Sequence, residues 1–144
     1  ELPEANANAA LIAVREHHLD QAESLLGKAL TASNYNEVLG NLQVARGNFV
    51  QAAQTLKGVN TNTAALAQIL TKDHVSARQT LMAVPHRDAM TAYLAAIVSA
   101  RTGDVKGAAQ ALAGAIAADR SLAGLAQTDL ELAKVLAAHP ELVK

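Results

Sequence analysis

The residues of this chain that could do chemistry are its histidines, serines and carboxylates, and their spacing predicts no reactive site. A metal pair on a helix needs ligands three or four positions apart on one face, but His17 and His18 are adjacent, so their side chains point apart. The other histidines fall at predicted turns or helix ends: His74, His86 and His139. We therefore expect no metal site.

The serines and acidic residues show no pattern typical of catalysis. No serine lies in the strand–turn–helix setting of a nucleophile elbow, and Asp129 and Glu131, two positions apart, leave a helix in different directions. The stretch Gly103 to Gly107 is followed by Ala108, not by the Lys-Ser/Thr pair of a phosphate-binding loop. The absence of cysteine excludes thiol catalysis. The sequence thus predicts a protein that is not an enzyme and needs no cofactor.

Composition narrows the remaining classes of function. Aromatic residues make up 2% of the 144 residues and the formal net charge is −1, which argues against a nucleic-acid surface of basic and stacking side chains. The longest apolar stretches, 92–100 and 108–118, are shorter than the roughly 18–20 residues that span a bilayer, so we expect no membrane insertion. The lack of thiols would suit a bacterial periplasm or cell envelope, although either redox environment is compatible with it. Because the chain begins at Glu1 rather than Met, we expect a trimmed or processed chain, in which a missing signal peptide carries no information.

A fourfold repeat specifies the elements that must position these side chains. Each copy has an alanine, here called the anchor, followed four positions later by leucine: Ala22 and Leu26, Ala52 and Leu56, Ala77 and Leu81, Ala108 and Leu112. A small residue stands twelve positions before each anchor: Ala10, Gly40, Ala65 and Ala96. The anchor and its leucine share one stripe of a helix, and the earlier small residue lies on a preceding helix across a short turn. Each copy therefore predicts a helical hairpin.

The predicted fold is all-α, because strand-type alternation is absent from the sequence. We predict a single domain over 1–144, with hairpins at about 3–31, 34–57, 61–82 and 87–118, and one longer C-terminal capping helix at about 121–138. The turn residues five positions before the anchors are His17, Gly47, Lys72 and Gly103. The two glycines suit left-handed helix ends, and the following helices find N-caps in Asn48, Asp73 and Asp104, with only Asp20 available in the first copy.

The second copy resembles the tetratricopeptide repeat (TPR). Its stretch from Val38-Leu39-Gly40 through Arg46-Gly47-Asn48-Phe49 to Ala52-Ala53 and Leu56 is similar to the TPR pattern of leucine-glycine, then glycine-asparagine-aromatic, then alanine. The fourth copy matches at the turn and the alanine, the first and third are degenerate, and the resemblance covers roughly residues 3–118. It implies a TPR-like solenoid, that is, an α-α superhelix. The anchors are 30, 25 and 31 residues apart instead of the 34 of that family, so we expect shortened second helices in the second and third copies and an altered curvature.

The resemblance also implies a function, which is binding of a peptide or protein surface in a groove lined by the first helices of the hairpins. Candidate partner-binding residues mapped by the repeat are Arg15, Asn34, Glu37, Asn41, Tyr93 and Arg101. Each could instead be an ordinary solvated helix residue, and Tyr93 could be a core aromatic. The alternative is a structural or self-associating module, packed on another copy as a homodimer or on another domain of its parent protein. The apolar Leu66 and Ile69 of the third copy favour that alternative.

Overall fold

A computed structural model of the chain describes residues 2–144, which form ten α-helices, two short 3-10 helices and no β-strand. The α-helices, α1 to α10, span Pro3–Arg15, Leu19–Leu26, Tyr35–Ala45, Phe49–Thr55, Asn62–Leu70, His74–Ala83, Ala89–Arg101, Val105–Ala118, Leu122–Thr128 and Ala133–Ala138. The 3-10 helices span Leu130–Leu132 and Pro140–Val143. The all-α prediction is therefore confirmed for the described residues.

The chain divides into two compact units. Unit 1 runs to Val59 and includes Leu70–Lys72, whereas unit 2 consists of Asn60–Ile69 and Asp73–Lys144. The core of unit 1 is built by α1, α2, α3 and the loop after α2, and most of its members are alanine, leucine or valine. The core of unit 2 extends from α5 to α10 and contains Tyr93 as its one buried aromatic residue among those described. The single domain over 1–144 stays a prediction.

The burial pattern confirms the sequence repeat. All four anchor alanines are completely buried, and the four leucines that follow them are at most 3% exposed. The small residues twelve positions before the anchors are buried as well: Ala10, Gly40, Ala65 and Ala96. The predicted register is thus correct in every copy, because a shift of one residue would turn these positions away from the core.

Gly40 shows how little space the second copy leaves at the small position twelve residues before the anchor. A Cβ atom placed on Gly40 would overlap the side chain of Leu56, which is itself buried just beyond the end of α4. Helices α3 and α4 therefore approach each other at a point where a methyl group has no room.

The four turns predicted from the repeat share one backbone conformation. The residue five positions before each anchor is left-handed, with φ of 62° at His17, 81° at Gly47, 66° at Lys72 and 84° at Gly103. The N–H of the next residue donates to the carbonyl five residues earlier, at 2.8–2.9 Å: His18 to Ala13, Asn48 to Gln43, Asp73 to Gln68, and Asp104 to Ser99. This bond is typical of the Schellman helix end. Two copies thus hold a non-glycine residue in a conformation that usually costs about 1–2 kcal/mol.

Several helix ends differ from the prediction. Helix α2 stops at Leu26 instead of continuing to 31, because Gly27, a poor helix former, occupies its C-cap and turns follow. The single capping helix at 121–138 is wrong. Helix α9 ends at Thr128, and Asp129 adopts an extended conformation (ψ 111°) that starts a 3-10 helix before α10.

The N-caps follow the prediction only in part. Asp73 and Asp104 cap α6 and α8 through their side chains, which accept hydrogen bonds from the backbone N–H of Ser76 and Gly107. Asn48 occupies the equivalent position of α4, but its side chain forms no capping bond. Asp20 is not a cap, because it lies inside the first turn of α2, after the N-cap residue His18.

Adding one methyl group at Gly40 tests the close approach of α3 and α4. We expect Gly40→Ala to lower the free energy of unfolding by about 1–3 kcal/mol, because overpacking against Leu56 outweighs the better helix propensity of alanine. Urea denaturation measures this change. Gly114→Ala in α8, where an added Cβ meets open space, is the matched control and should be neutral or stabilising. Equal stabilisation by both substitutions would contradict the close approach.

Candidate protein-binding surface

Four of the six predicted site residues lie in unit 1, on two helices that pack against each other. Arg15 is the last residue of α1, Asn34 is the N-cap of α3, and Glu37 and Asn41 follow on α3. Helices α1 and α3 are in contact and share the core of unit 1. The structure therefore brings the unit 1 candidates onto neighbouring first helices.

One hydrogen bond links the two helices at this surface. The Nδ2 atom of Asn34 donates to Oδ1 of Asn8, at 3.3 Å. Arg15 is seven residues after Asn8 and so shares its stripe of α1, while Glu37 and Asn41, three and seven residues after Asn34, share the stripe of α3 that begins there. We call these five residues the α1–α3 face. Sequence reasoning missed Asn8, although its spacing of seven from Arg15 could have indicated it.

The α1–α3 face carries opposite charges and three amides. Arg15 is exposed and Glu37 is half-buried, and neither forms an ion pair within residues 2–144. The Nδ2 atom of Asn41 donates to the backbone carbonyl of Glu37 at 2.7 Å. The Oδ1 atom of Asn34 is shielded from solvent and accepts no hydrogen bond, which is an unfavourable state for a buried acceptor. Among residues 2–144, Arg15 and Glu37 thus have no ion-pair partner and Oδ1 of Asn34 has no donor.

The other two candidates, in unit 2, serve packing within that unit. Tyr93 is 2% exposed, and its hydroxyl donates to Oδ2 of Asp129 at 2.7 Å. Burial, together with this bond to Asp129, raises the pKa of the Tyr93 phenol above its usual range. The core alternative for Tyr93 thus matches its environment, and the geometry gives this residue no open surface.

Arg101 joins three parts of unit 2. Its Nε and Nη2 atoms donate to the two carboxylate oxygens of Glu131 at 2.9 and 2.6 Å, and its Nη1 atom donates to the carbonyl of Ile69 at 2.6 Å. Such a two-pronged arginine–carboxylate pair is stronger than a single hydrogen bond. The end of α7 is therefore fastened both to α5 and to the 3-10 helix Leu130–Leu132.

The sequence-based treatment of Asp129 and Glu131 is wrong. These two residues do not point apart on one continuous helix, because the helix ends before Asp129 and the 3-10 turn directs both carboxylates to α7. The signal was present in the residue type, since Asp129 accepts a hydrogen bond from the N–H of Glu131 as a cap does.

Other features of the described residues concern metals and membranes. Residues 2–144 contain no group of three or more histidine or acidic side chains placed to hold a metal ion. Within the same range, none of the helices combines the length and apolar character that crossing a membrane requires. Comparison with protein-family models, with curated proteins and with solved structures finds no match to this chain.

The ion pair of Arg101 and Glu131 leads us to expect that the free energy of unfolding depends on pH in the acidic range. The hydrogen bonds from Arg101 hold the pKa of Glu131 below its usual 4.5, so the folded state binds this proton less readily than the unfolded state. The contribution of the pair is therefore complete above the unfolded pKa and is lost as pH falls through the lowered folded value. We expect Glu131→Gln to cost about 1 kcal/mol or less at neutral pH, because the pair is partly exposed to solvent.

When the pH is lowered from about 6 to about 3, the free energy of unfolding should fall less in Glu131→Gln than in the wild type. Urea denaturation at each pH measures this difference. Gln110→Ala, at an exposed position of α8, removes no titratable group and is the control, which should keep the pH dependence of the wild type. An unchanged slope in Glu131→Gln would show that the ion pair contributes nothing to acid sensitivity.

Proposed function

We propose that this chain is a TPR-like scaffold, a superhelix of four helical hairpins with a C-terminal cap, which binds a peptide or protein surface and catalyses no reaction. The observation that carries the proposal is the repetition of one burial pattern and one turn conformation in the four copies of the sequence repeat. Each copy buries an anchor alanine, its leucine and the earlier small residue, and each has a left-handed residue five positions before the anchor. Repeats that share one burial pattern are typical of stacked helical arrays, which commonly present an extended binding surface.

The surface we propose for the partner is the α1–α3 face. It lies on first helices, as the TPR resemblance implies, and it offers one cation, one anion and the amides of three asparagines. An amide side chain carries both donors and an acceptor, which suits the N–H and C=O groups of a peptide backbone. A partner N–H that met Oδ1 of Asn34, after a small rotation of that amide, would recover about 1–3 kcal/mol that the unpaired acceptor costs. We therefore expect a polar peptide segment.

The alternative function, a structural or self-associating module, is favoured by exposed apolar side chains. These are found in both units and include Leu30, Val75, Met82 and Leu130, the last of which is 89% exposed. Exposed apolar surface is what a second copy or a neighbouring domain would cover. The residues first suggested for that contact fit it less well, because Ile69 is buried in the core of unit 2 and Leu66 packs against the same core.

Removing the polar groups of α3 tests the proposed surface. We expect Glu37→Ala with Asn41→Ala to weaken the affinity for the partner by about five- to tenfold, because two contacts of the interface are lost. The partner is first captured with the intact parent chain and identified by mass spectrometry, and its affinity is then measured by titration calorimetry. Helicity should not change, since alanine favours helix.

Gln54→Ala on the exposed side of α4 is the matched control and should bind as the wild type does. Unchanged affinity in the double variant would contradict the surface assignment.

Light scattering of the isolated chain across a dilution series distinguishes the scaffold from the self-associating module. A monomer is the result expected for the scaffold, whereas a dimer that persists on dilution would favour self-association.

A further inference from the structure

Helix α6 and the segment that leads to α7 carry two arginines, Arg78 and Arg87. Residues 74–87 contain no aspartate or glutamate, and the acids that flank this stretch are Asp73 and Asp88. Both flanking carboxylates accept capping hydrogen bonds from backbone N–H groups, at the starts of α6 and α7.

Two of these residues line one cavity within unit 2. Arg78 and Arg87 border a cavity of about 70 Å³, whose other lining residues are Leu81, Met82, Ala95, Val98 and Ser99. Its inner wall is apolar, because Leu81 and Val98 belong to the core of unit 2. Met82, which also lines the cavity, has 71% of its surface exposed.

Neither arginine forms an ion pair with an acidic residue of the described chain. The Nη2 atom of Arg78 donates to the hydroxyl of Thr102 at 3.2 Å, which is an uncharged acceptor. Within residues 2–144, the ion pairs involve neither Arg78 nor Arg87. The acid next to Arg87 is Asp88, which caps α7 by accepting bonds from the Thr91 N–H at 2.9 Å and from Asn62 at 3.0 Å. The cavity thus has two cations and no anion of its own.

We propose that this cavity, here called the Arg78–Arg87 site, binds the carboxylate of a glutamate or aspartate in an acidic segment of a protein partner. The planar fork of donors on arginine matches the two oxygens of a carboxylate. A cavity of about 70 Å³ holds roughly two groups the size of a water molecule, which is the size of a carboxylate head. The exposed side chain of Met82 can cover an apolar residue next to the acid. The site uses none of the residues of the α1–α3 face and stands independently of the function proposed for that face.

Titration of the intact chain with small peptides tests the site. The probe is N-acetyl-Glu-Leu-amide, and its neutral counterpart is N-acetyl-Gln-Leu-amide, with chemical-shift changes of backbone amides as the readout. We expect the acidic probe to shift resonances of α6 and α7 and to bind about two- to fivefold more tightly than the neutral one. Binding should weaken when the salt concentration is raised, because the contact is exposed and ionic.

Variants assign the effect to the two arginines. Arg87→Gln, which removes no hydrogen bond seen in the structure, should lower the affinity for the acidic probe to the affinity for the neutral one. Arg78→Gln should lower the affinity for the acidic probe as well. Arg120→Gln, at an exposed position outside the cavity, is the matched control and should leave the affinity unchanged. Equal binding of the two probes, or an Arg87→Gln protein that binds like the wild type, would overturn the proposal. Inorganic phosphate that competes as strongly as the acidic probe would also overturn it, because the site would then be a general anion site.

Discussion

The close approach of two helices at small residues is the constraint on which this structure depends. In the second hairpin the side chain of Leu56 occupies the space where Gly40 would carry a Cβ. Packing this tight leaves no room for a residue larger than glycine at position 40 of α3. It also buries Leu56, just after α4, almost completely. The alanine-rich composition fits this packing, because all four anchors and three of the four earlier small residues are buried alanines, with larger aliphatic side chains such as Leu42, Ile69 and Leu94 beside them in the cores. Aromatic residues, at 2% of the chain, have few places to fit.

The turns show how strongly tertiary packing imposes one geometry on unequal sequences. Gly47 and Gly103 adopt the left-handed conformation at no steric cost, but His17 and Lys72 adopt it as well. The same backbone hydrogen bond closes all four turns. A residue that disfavours this conformation is therefore held there by the helices on either side of it, and the anchor and leucine of the following helix are buried in every copy.

Local and periodic features could be predicted from the sequence, whereas features that depend on distant residues could not. The anchors, the hairpin turns and the first-helix positions of Arg15 and Glu37 follow from the helical period. The break before Asp129 depends on contacts with residues 30 to 36 positions away, since Tyr93 and Arg101 bind the carboxylates that the break turns toward α7. Hydrophobic periodicity contains no information on such pairings between distant residues. For the same reason, the sequence-based assignment of Tyr93 and Arg101 to a groove did not anticipate their bonds to Asp129 and Glu131. The stripe through Asn34 and Asn41 could be predicted because it depends only on helical spacing.

The most direct test of the central claim is a double-mutant cycle that combines Gly40→Ala with Leu56→Ala, measured as unfolding free energies in urea. Leu56→Ala alone should cost about 2–5 kcal/mol, because it removes a buried side chain and leaves a cavity. If Leu56 occupies the space above Gly40, the cavity will accept the methyl group that Gly40→Ala adds, and the double variant will lose less stability than the sum of the single variants by about 1 kcal/mol or more. Additive losses, or a loss below about 1 kcal/mol for Leu56→Ala, would contradict the account.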